Sequence, residues 1–124
     1  MIAADASSLV AYLKGEAGRD VEILALALSG NQLVLPPAVL TEVLSDPVAY
    51  PTIGSQVADL VLLEPSEGYW DRAGAARRTI HAHGLKARTA DALIAQSCID
   101  AGVALITRDR DFRHFVEHCG LQLA

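Results

Sequence analysis

The sequence of 124 residues is long enough for one domain and too short for two of ordinary size, and its hydrophobic fraction of 52% supports a substantial core. It contains no run of about 18 apolar residues and no basic N-terminal stretch of the signal-peptide type, so we expect a cytoplasmic protein without a membrane span. The formal net charge of −5 argues against a protein that coats DNA non-specifically, but it allows a nucleic-acid enzyme whose acids are gathered at a metal site.

The first half of the sequence alternates short apolar stretches with segments of helical spacing. Residues 1–4 are apolar throughout, as expected for a central strand of a parallel sheet, and Pro37 suits the first turn of a helix. The predicted elements are a strand over residues 1–4, a helix that Ser7 or Ser8 caps and Gly15 ends, a helix over residues 19–29, a strand over residues 32–35, a helix that starts at Pro37, a short helix within residues 48–59 and a strand over residues 61–63.

The second half continues the alternation. The predicted elements are a long helix over residues 67–83 with Trp70, Ala73, Ala76 and Ile80 facing inward, a helix that Thr89 caps and Gly102 ends, a strand over residues 103–106, a helix over residues 112–118 and a strand over residues 121–123. Together the elements predict an α/β fold in which residues 1–124 form a single domain around a parallel sheet of about five strands.

Four acidic residues stand where such a fold brings chain segments together. Asp5 directly follows the first strand, and Asp109 lies in the loop after the fourth. Glu42 lies on the helix after the second strand, and Asp91 lies in the first turn of its helix. Because the carboxyl ends of parallel strands meet at one edge of a sheet, we expect these carboxylates to converge there. Crowded carboxylates repel one another, and a hard divalent cation such as Mg²⁺ or Mn²⁺ relieves the repulsion. Such an ion lowers the pKa of a bound water and positions a phosphodiester for hydrolysis.

Each acidic residue has a simpler explanation when it is considered alone. Asp5 would be a cap or a turn former, Glu42 a solvated helix residue, and Asp91 a favourable charge at a helix N-terminus. Asp109 and Asp111 would pair with neighbouring arginines. The metal-site hypothesis therefore depends on the occurrence of all four acids at matching places in the topology.

Two other α/β classes fit the sequence less well. A phosphate-receiving regulator requires an acid pair after the first strand and a lysine after the last, whereas this chain has only Asp5 at the first place and no lysine beyond Lys86. A haloacid-dehalogenase-like phosphatase requires Asp-x-Asp, where Asp5 is followed by Ala6 and Ser7. The sequence also lacks a glycine-rich phosphate loop of the P-loop or dinucleotide-binding type.

Four short motifs carry these acids in a characteristic order and spacing. They are IAADASSLVAYL at residues 2–13, LTEVL at 40–44, TADALIAQ at 89–96 and LITRDRDF at 105–112. Together they resemble the motifs of PIN domains, most closely those of VapC-like toxin ribonucleases. The resemblance implies a three-layer α/β/α fold and a ribonuclease with an acidic Mg²⁺ or Mn²⁺ site, acting as the toxin of a type II toxin–antitoxin pair. It also implies a cognate antitoxin that covers the acidic groove, and a homodimer.

The resemblance assigns roles to individual residues. The catalytic and metal-binding quartet of the family matches Asp5, Glu42, Asp91 and Asp109. Ser7 matches a hydroxyl residue that supports the site by hydrogen bonding, and Thr107 matches the threonine that orients the last acidic loop. Asp111 occupies a position that varies in the family, where it either supports the site or replaces Asp109 as a ligand.

Basic residues surround the predicted site. Lys86 and Arg88 precede Asp91, and Arg108 and Arg110 flank Asp109, so these four cations are predicted to contact RNA phosphates. The alternative is a solvated surface or ion pairs with neighbouring acids. Two further functions suit the same fold: an RNA-processing nuclease without an antitoxin, and a PIN-fold module that binds metal or RNA without cleaving it.

Overall fold

The computed structural model describes residues 1–47 and 50–124. The strands are β1 (Ile2–Ala4), β2 (Leu33–Leu35), β3 (Val61–Leu62) and β4 (Ala104–Ile106). The helices are α1 (Ala6–Leu13), α2 (Arg19–Ser29), α3 (Pro37–Leu44), α4 (Tyr50–Val57), α5 (Tyr69–Ala82), α6 (Thr89–Ala101) and α7 (Arg113–Cys119), and a 3₁₀ turn spans Arg110–Phe112. The short helix predicted within residues 48–59 corresponds to α4, and residues 48 and 49 of that prediction lie outside the described residues.

A parallel sheet organises the part of the chain that the structure describes. Its strand order is β3-β2-β1-β4, and every neighbouring pair is parallel. Ile2 in β1 pairs with Leu33 on one side and with Ala104 on the other. Helices flank the sheet, which confirms the predicted α/β fold. Because β1 and β4 are neighbours, the residues that follow them, Asp5 and Thr107, leave the sheet side by side.

The fifth predicted strand is reduced to a single bridge between Leu105 and Leu123. Two backbone hydrogen bonds hold this bridge, from Leu105 N to Gln122 O and from Ala124 N to Leu105 O, each at 2.9 Å. The preceding Leu121 is buried in the core instead of extending the pairing. Within the described residues, the sheet therefore has four strands and not five.

The helices bury a core of mostly aliphatic side chains together with Phe112 and Phe115. The largest fully buried side chains include Leu9, Leu24, Leu35, Ile80, Ile94, Leu105 and Ile106. The α5 helix packs against α6 and α7, and α3 contacts both α1 and α6. The helices that carry Glu42 and Asp91 are thus neighbours. In the described part of the chain, no helix combines the length and the apolar character needed to cross a membrane.

The N-caps of two helices lie one or more residues earlier than predicted. Asp5, and not Ser7 or Ser8, is the N-cap of α1: its extended backbone ends β1, and its carboxylate accepts a hydrogen bond from Ser8 N at 3.1 Å. Arg88, and not Thr89, is the N-cap of α6, and its side chain makes no capping bond. In both helices the residue with extended backbone just before the helix is the cap, directly after β1 for α1 and after a loop for α6, so the predictions placed both caps too late.

The prediction that Trp70 faces the core is wrong. Its side chain is 68% exposed, whereas that of Tyr69 is only 4% exposed. Tyr69 begins the stripe that continues through Ala73, Ala76 and Ile80, and its hydroxyl donates to Leu93 O at 2.6 Å. Tyr69 takes the buried position in place of Trp70 because its ring fills the apolar space and its hydroxyl, at the far end of the ring, hydrogen-bonds to Leu93 O.

Candidate metal centre

The four predicted acids line one cavity of about 160 Å³. They arrive from separate elements: Asp5 from the end of β1, Glu42 from α3, Asp91 from the first turn of α6, and Asp109 from the segment after β4. The cavity is lined by Asp5, Ala6, Ser7, Glu42, Arg88, Asp91, Ile94, Asp109 and Phe112. The structure therefore brings together the residues that the sequence predicted to converge.

Asp5 is the most firmly held of these acids. Its side chain is buried with only 3% exposure, and hydrogen-bond donors surround its carboxylate. The Ser7 hydroxyl lies 2.7 Å from Oδ1, and the Thr107 hydroxyl donates to Oδ2 at 2.6 Å. Together with the bond from Ser8 N, these contacts fix the direction of the carboxylate. Ser7 and Thr107 thus both bond to the Asp5 carboxylate.

Thr107 also connects Asp5 to the acidic loop after β4. Its hydroxyl oxygen accepts a hydrogen bond from Asp109 N at 3.0 Å while its proton is directed at Asp5. The Asp109 carboxylate then accepts from Asp111 N at 2.9 Å, which caps the 3₁₀ turn. The positions of Asp5, Asp109 and Asp111 are therefore coupled through one hydroxyl and one turn.

Three of the carboxylates are close enough to share a cation. Asp91, Asp109 and Asp111 each offer one oxygen, and these oxygens lie within 4.8 Å of one another. An all-carboxylate donor set suits a hard cation such as Mg²⁺ or Mn²⁺. Asp111 therefore lies nearer to the centre than its variable position in the motif indicated. Asp5 and Glu42 line the acidic cavity together with Asp91 and Asp109.

The pKa values of the acids in the centre reflect their burial first and their crowding second. Burial raises the pKa of Asp5, Glu42 and Asp91 above their ordinary values, and it is the largest cause in each case. Neighbouring carboxylates add to this effect, with Asp91 acting on Glu42 and Asp109 acting on Asp91. Hydrogen bonds from Thr107 and Ser8 oppose the rise of the Asp5 pKa. A bound cation would favour the charged form of all these groups.

The predicted basic residues do not all reach the centre. Arg88 does, since its guanidinium contacts both Asp91 and Asp109. The side chain of Arg108 is directed elsewhere and contacts Asp20 at 2.8 Å and Glu16 at 3.5 Å. Lys86 and Arg110 are exposed and do not line the cavity.

The ion pair of Arg108 belongs to a network that the sequence did not reveal. Asp20, in the first turn of α2, accepts from both Arg108 and the Ser8 hydroxyl, the latter at 2.8 Å. The hydrogen bond from Arg108 is the main reason why the pKa of Asp20 falls to about 2. Because Arg108 N also donates to Ser7 at 3.3 Å, this network ties the acidic loop to α1 and α2. No local spacing signals a contact between residues 88 positions apart in the chain.

A more apolar cavity of about 440 Å³ adjoins the acidic one. Glu42 lines both cavities, and Tyr69, Trp70 and Leu93 lie on the walls of the larger one. The acidic centre therefore opens beside a wide concave surface formed by α3, α5 and α6.

Comparison with known proteins identifies the family. A model of the PIN domain matches residues 2–117, which is nearly the whole chain. This chain belongs to the PIN domain family. No match was found among the curated proteins.

Solved structures share the fold of this PIN domain over almost its full length. VapBC2 from Rickettsia felis, bound to a DNA fragment from its promoter, aligns with a TM-score of 0.77 at 19% identity and covers 100% of this chain and 98% of the matched one. VapBC-1 from nontypeable Haemophilus influenzae aligns with a TM-score of 0.71 at 19% identity, covering 100% and 97%. VapBC-5 from Mycobacterium tuberculosis, a member of the VapBC family of toxin-antitoxin systems, gives 0.71 at 18% identity, covering 98% and 95%. At these identities the similarity establishes the fold.

The raised pKa values predict how the stability of this PIN domain depends on pH. The folded state binds protons at Asp5, Glu42 and Asp91 more tightly than the unfolded chain, whose ordinary pKa values are 3.8 and 4.5. This contribution to stability is complete at low pH and is lost as the pH rises through the folded pKa values. Asp20 contributes in the opposite direction: the stability from its lowered pKa is present above its ordinary pKa of 3.8 and is lost as the pH falls towards its folded pKa of about 2. In EDTA, we therefore expect these three groups to lower the melting temperature progressively above about pH 4 to 5.

Thermal melts across pH, with and without Mn²⁺, measure this dependence. Mn²⁺ should raise the melting temperature more at pH 7 than at pH 5, because it competes with protons for the same oxygens. Glu42→Gln removes one of the three groups and should make the decline in EDTA shallower. A Glu42→Gln profile that runs parallel to the wild-type profile would contradict the assignment of Glu42 to this cluster.

Proposed function

We propose that this PIN domain, residues 1–124, is a metal-dependent endoribonuclease and the toxin of a type II toxin–antitoxin module. The observation that carries the proposal is the convergence of four acids from four separate elements on one cavity of a PIN fold. A metal-dependent RNA hydrolase uses such a concentration of oxygen ligands to hold its ion. Arg88 offsets part of the repulsion among the acids, at Asp91 and Asp109, and a divalent ion would offset it further.

Each residue of the centre has a distinct task in this proposal. Asp5, Asp91, Asp109 and Glu42 would hold a Mg²⁺ or Mn²⁺ ion, and such an ion would supply an activated water and charge stabilisation at the scissile phosphate. Ser7 and Thr107 keep the Asp5 carboxylate directed into the cavity through their hydrogen bonds. Asp111 lies close enough to join the ligands or to orient Asp109. Lys86, Arg88 and Arg110 would contact the RNA backbone, whereas Arg108 acts by fixing the loop that carries Asp109.

The partners follow from the family and from the similar complexes. Three of the solved structures with this fold are named as VapBC, and one of these is described as a member of a family of toxin-antitoxin systems. We therefore infer a cognate antitoxin that covers the acidic cavity, a homodimer of the toxin, and action in the cytoplasm. A short antitoxin-like reading frame directly upstream would support the toxin role over that of an RNA-processing nuclease.

The purified protein is expected to cleave RNA only when a divalent ion is present. Cleavage of a panel of structured and single-stranded RNAs should appear with Mg²⁺ or Mn²⁺, stop with EDTA, and return when the ion is restored. Gel separation of end-labelled RNA measures the rates, and Glu117→Gln, an exposed acid on α7, serves as a control that retains activity. Cleavage that persists in EDTA would refute the metal role. Metal binding without cleavage of any RNA would favour a non-catalytic PIN module.

A further inference from the structure

The basic residue that lines the acidic cavity is Arg88. Its guanidinium forms a fork on Asp91, with Nε at 3.0 Å from Oδ2 and a terminal nitrogen at 3.3 Å from Oδ1. The same terminal nitrogen lies 3.1 Å from Oδ2 of Asp109. One side chain thus bridges two carboxylates that come from different elements, α6 and the loop after β4.

The carboxylates that Arg88 contacts are two of the three that offer oxygens to a shared cation. A guanidinium and a divalent ion are both positive, and both require these oxygens, so their binding to Asp91 and Asp109 is antagonistic. Each would lower the affinity of the centre for the other by the same factor.

The side chain of Arg88 is also free to leave. It is 66% exposed, whereas the Asp91 side chain beneath it is only 5% exposed. Arg88 has an extended backbone and is the N-cap of α6, and its side chain makes no capping bond, so its guanidinium can rotate into solvent without disturbing the helix. Movement of the arginine is thus possible while the buried acid stays in place.

We infer that Arg88 is a displaceable internal counter-cation, which neutralises Asp91 and Asp109 until a divalent ion takes its place. This inference rests on the proposed metal centre. It gives Arg88 two positions: on the carboxylates, where it stabilises the crowded centre, and at the mouth of the cavity, where its guanidinium is available to an RNA phosphate. Binding of the ion and release of the phosphate-binding group are thereby linked.

Titration with Mn²⁺ tests this antagonism in the absence of RNA. Isothermal titration calorimetry and the electron paramagnetic resonance signal of free Mn²⁺ both report the affinity. Arg88→Gln is expected to bind Mn²⁺ about tenfold more tightly than the wild type, within the usual range of coupling between sites. Arg88→Lys should lie between them, because an ammonium keeps the charge but cannot form the fork.

Arg110→Gln is the matched control for charge. Arg110 lies between Asp109 and Asp111 in the sequence but is exposed and outside the cavity lining. Its replacement removes the same charge near the centre without removing a contact to Asp91 or Asp109, and should change the Mn²⁺ affinity far less. Equal tightening in both variants, or an Arg88→Gln affinity no better than that of the wild type, would overturn the inference.

Thermal stability supplies the second readout. In EDTA, Arg88→Gln should melt below the wild type because the carboxylates lose their counter-cation; in saturating Mn²⁺ the difference should vanish or reverse. A deficit that persists unchanged in Mn²⁺ would show that Arg88 is merely structural and would refute the exchange. These measurements need no RNA. A protein that binds Mn²⁺ but cleaves no RNA would therefore refute the proposed nuclease activity and leave the inference about Arg88 unaffected. If neither the wild type nor Arg88→Gln binds Mn²⁺, the proposed function and this inference are both refuted.

Discussion

Asp5→Asn is expected to lower the rate of RNA cleavage by more than about 100-fold, the upper range for groups that only support a metal ligand. Asp5 is buried beneath the cavity, and three donors fix the direction of its carboxylate. An amide presents one oxygen and one NH₂ group, has no charge, and is a far weaker ligand for a hard cation. Its NH₂ group would also face either Ser8 N or the Thr107 hydroxyl, so at least one of these contacts must reorganise.

The same substitution should leave the protein folded. Asparagine caps helices about as well as aspartate does, so the start of α1 is preserved. The loss of the charge also removes the cost of burying it, which is the main reason why the pKa of Asp5 is raised. We therefore expect the free energy of unfolding in EDTA to change by no more than about 1 kcal/mol.

Rates measured over a range of Mn²⁺ concentrations separate weak ion binding from lost chemistry. Asp5→Ala removes the cap as well as the ligand and should lose a further ~0.5–2 kcal/mol of stability. Wild-type cleavage by Asp5→Asn would eliminate Asp5 from the catalytic centre. Activity lost together with the folded state would instead place the role of Asp5 in the fold alone.

The sequence was informative about the acidic centre because each acid is adjacent to a recognisable element. Asp5 and Asp109 follow apolar stretches of strand length, and parallel strands deliver the residues after them to the same edge. The bounds of α2 were predicted correctly from apolar periodicity and from Gly30 after its end. These signals are local, so a single sequence carries them.

The errors concern choices that only tertiary contacts decide. Tyr69 and Trp70 are adjacent aromatic residues, and the sequence of α5 does not indicate which of them is buried. The hydrogen bond from the Tyr69 hydroxyl to Leu93 O depends on α6, which is distant in the chain. Arg88 and Arg108 looked equivalent as cations beside acids. The structure separates them: Asp20 holds Arg108 on one side of the acidic loop, and Arg88 lies on the carboxylates themselves. Such pairings connect distant parts of the chain and leave no periodic pattern.

Phe112→Ala is expected to destabilise the protein by about 3–5 kcal/mol, the usual loss when a buried phenylalanine is truncated. Phe112 is 1% exposed, and its ring packs near that of Phe115 with 6.2 Å between the centroids. It also ends the 3₁₀ turn that begins after Asp109 and contains Asp111, and it lines the acidic cavity. The cavity left by its removal would therefore lie directly beneath the acidic loop.

Phe112→Ala should weaken metal binding as well as lower the global stability. A loosened 3₁₀ turn no longer holds Asp109 and Asp111 against Asp91, so Mn²⁺ affinity should fall even at temperatures where the variant is fully folded. Denaturation by urea in EDTA gives the free energy of unfolding, and calorimetric titration at low temperature gives the affinity. Trp70→Ala is the matched control, because it removes a larger ring that is 68% exposed and should change stability by less than about 1 kcal/mol. If Phe112→Ala lost stability but bound Mn²⁺ as the wild type does, the acidic loop would be held by Thr107 and the Arg108 network without help from the core.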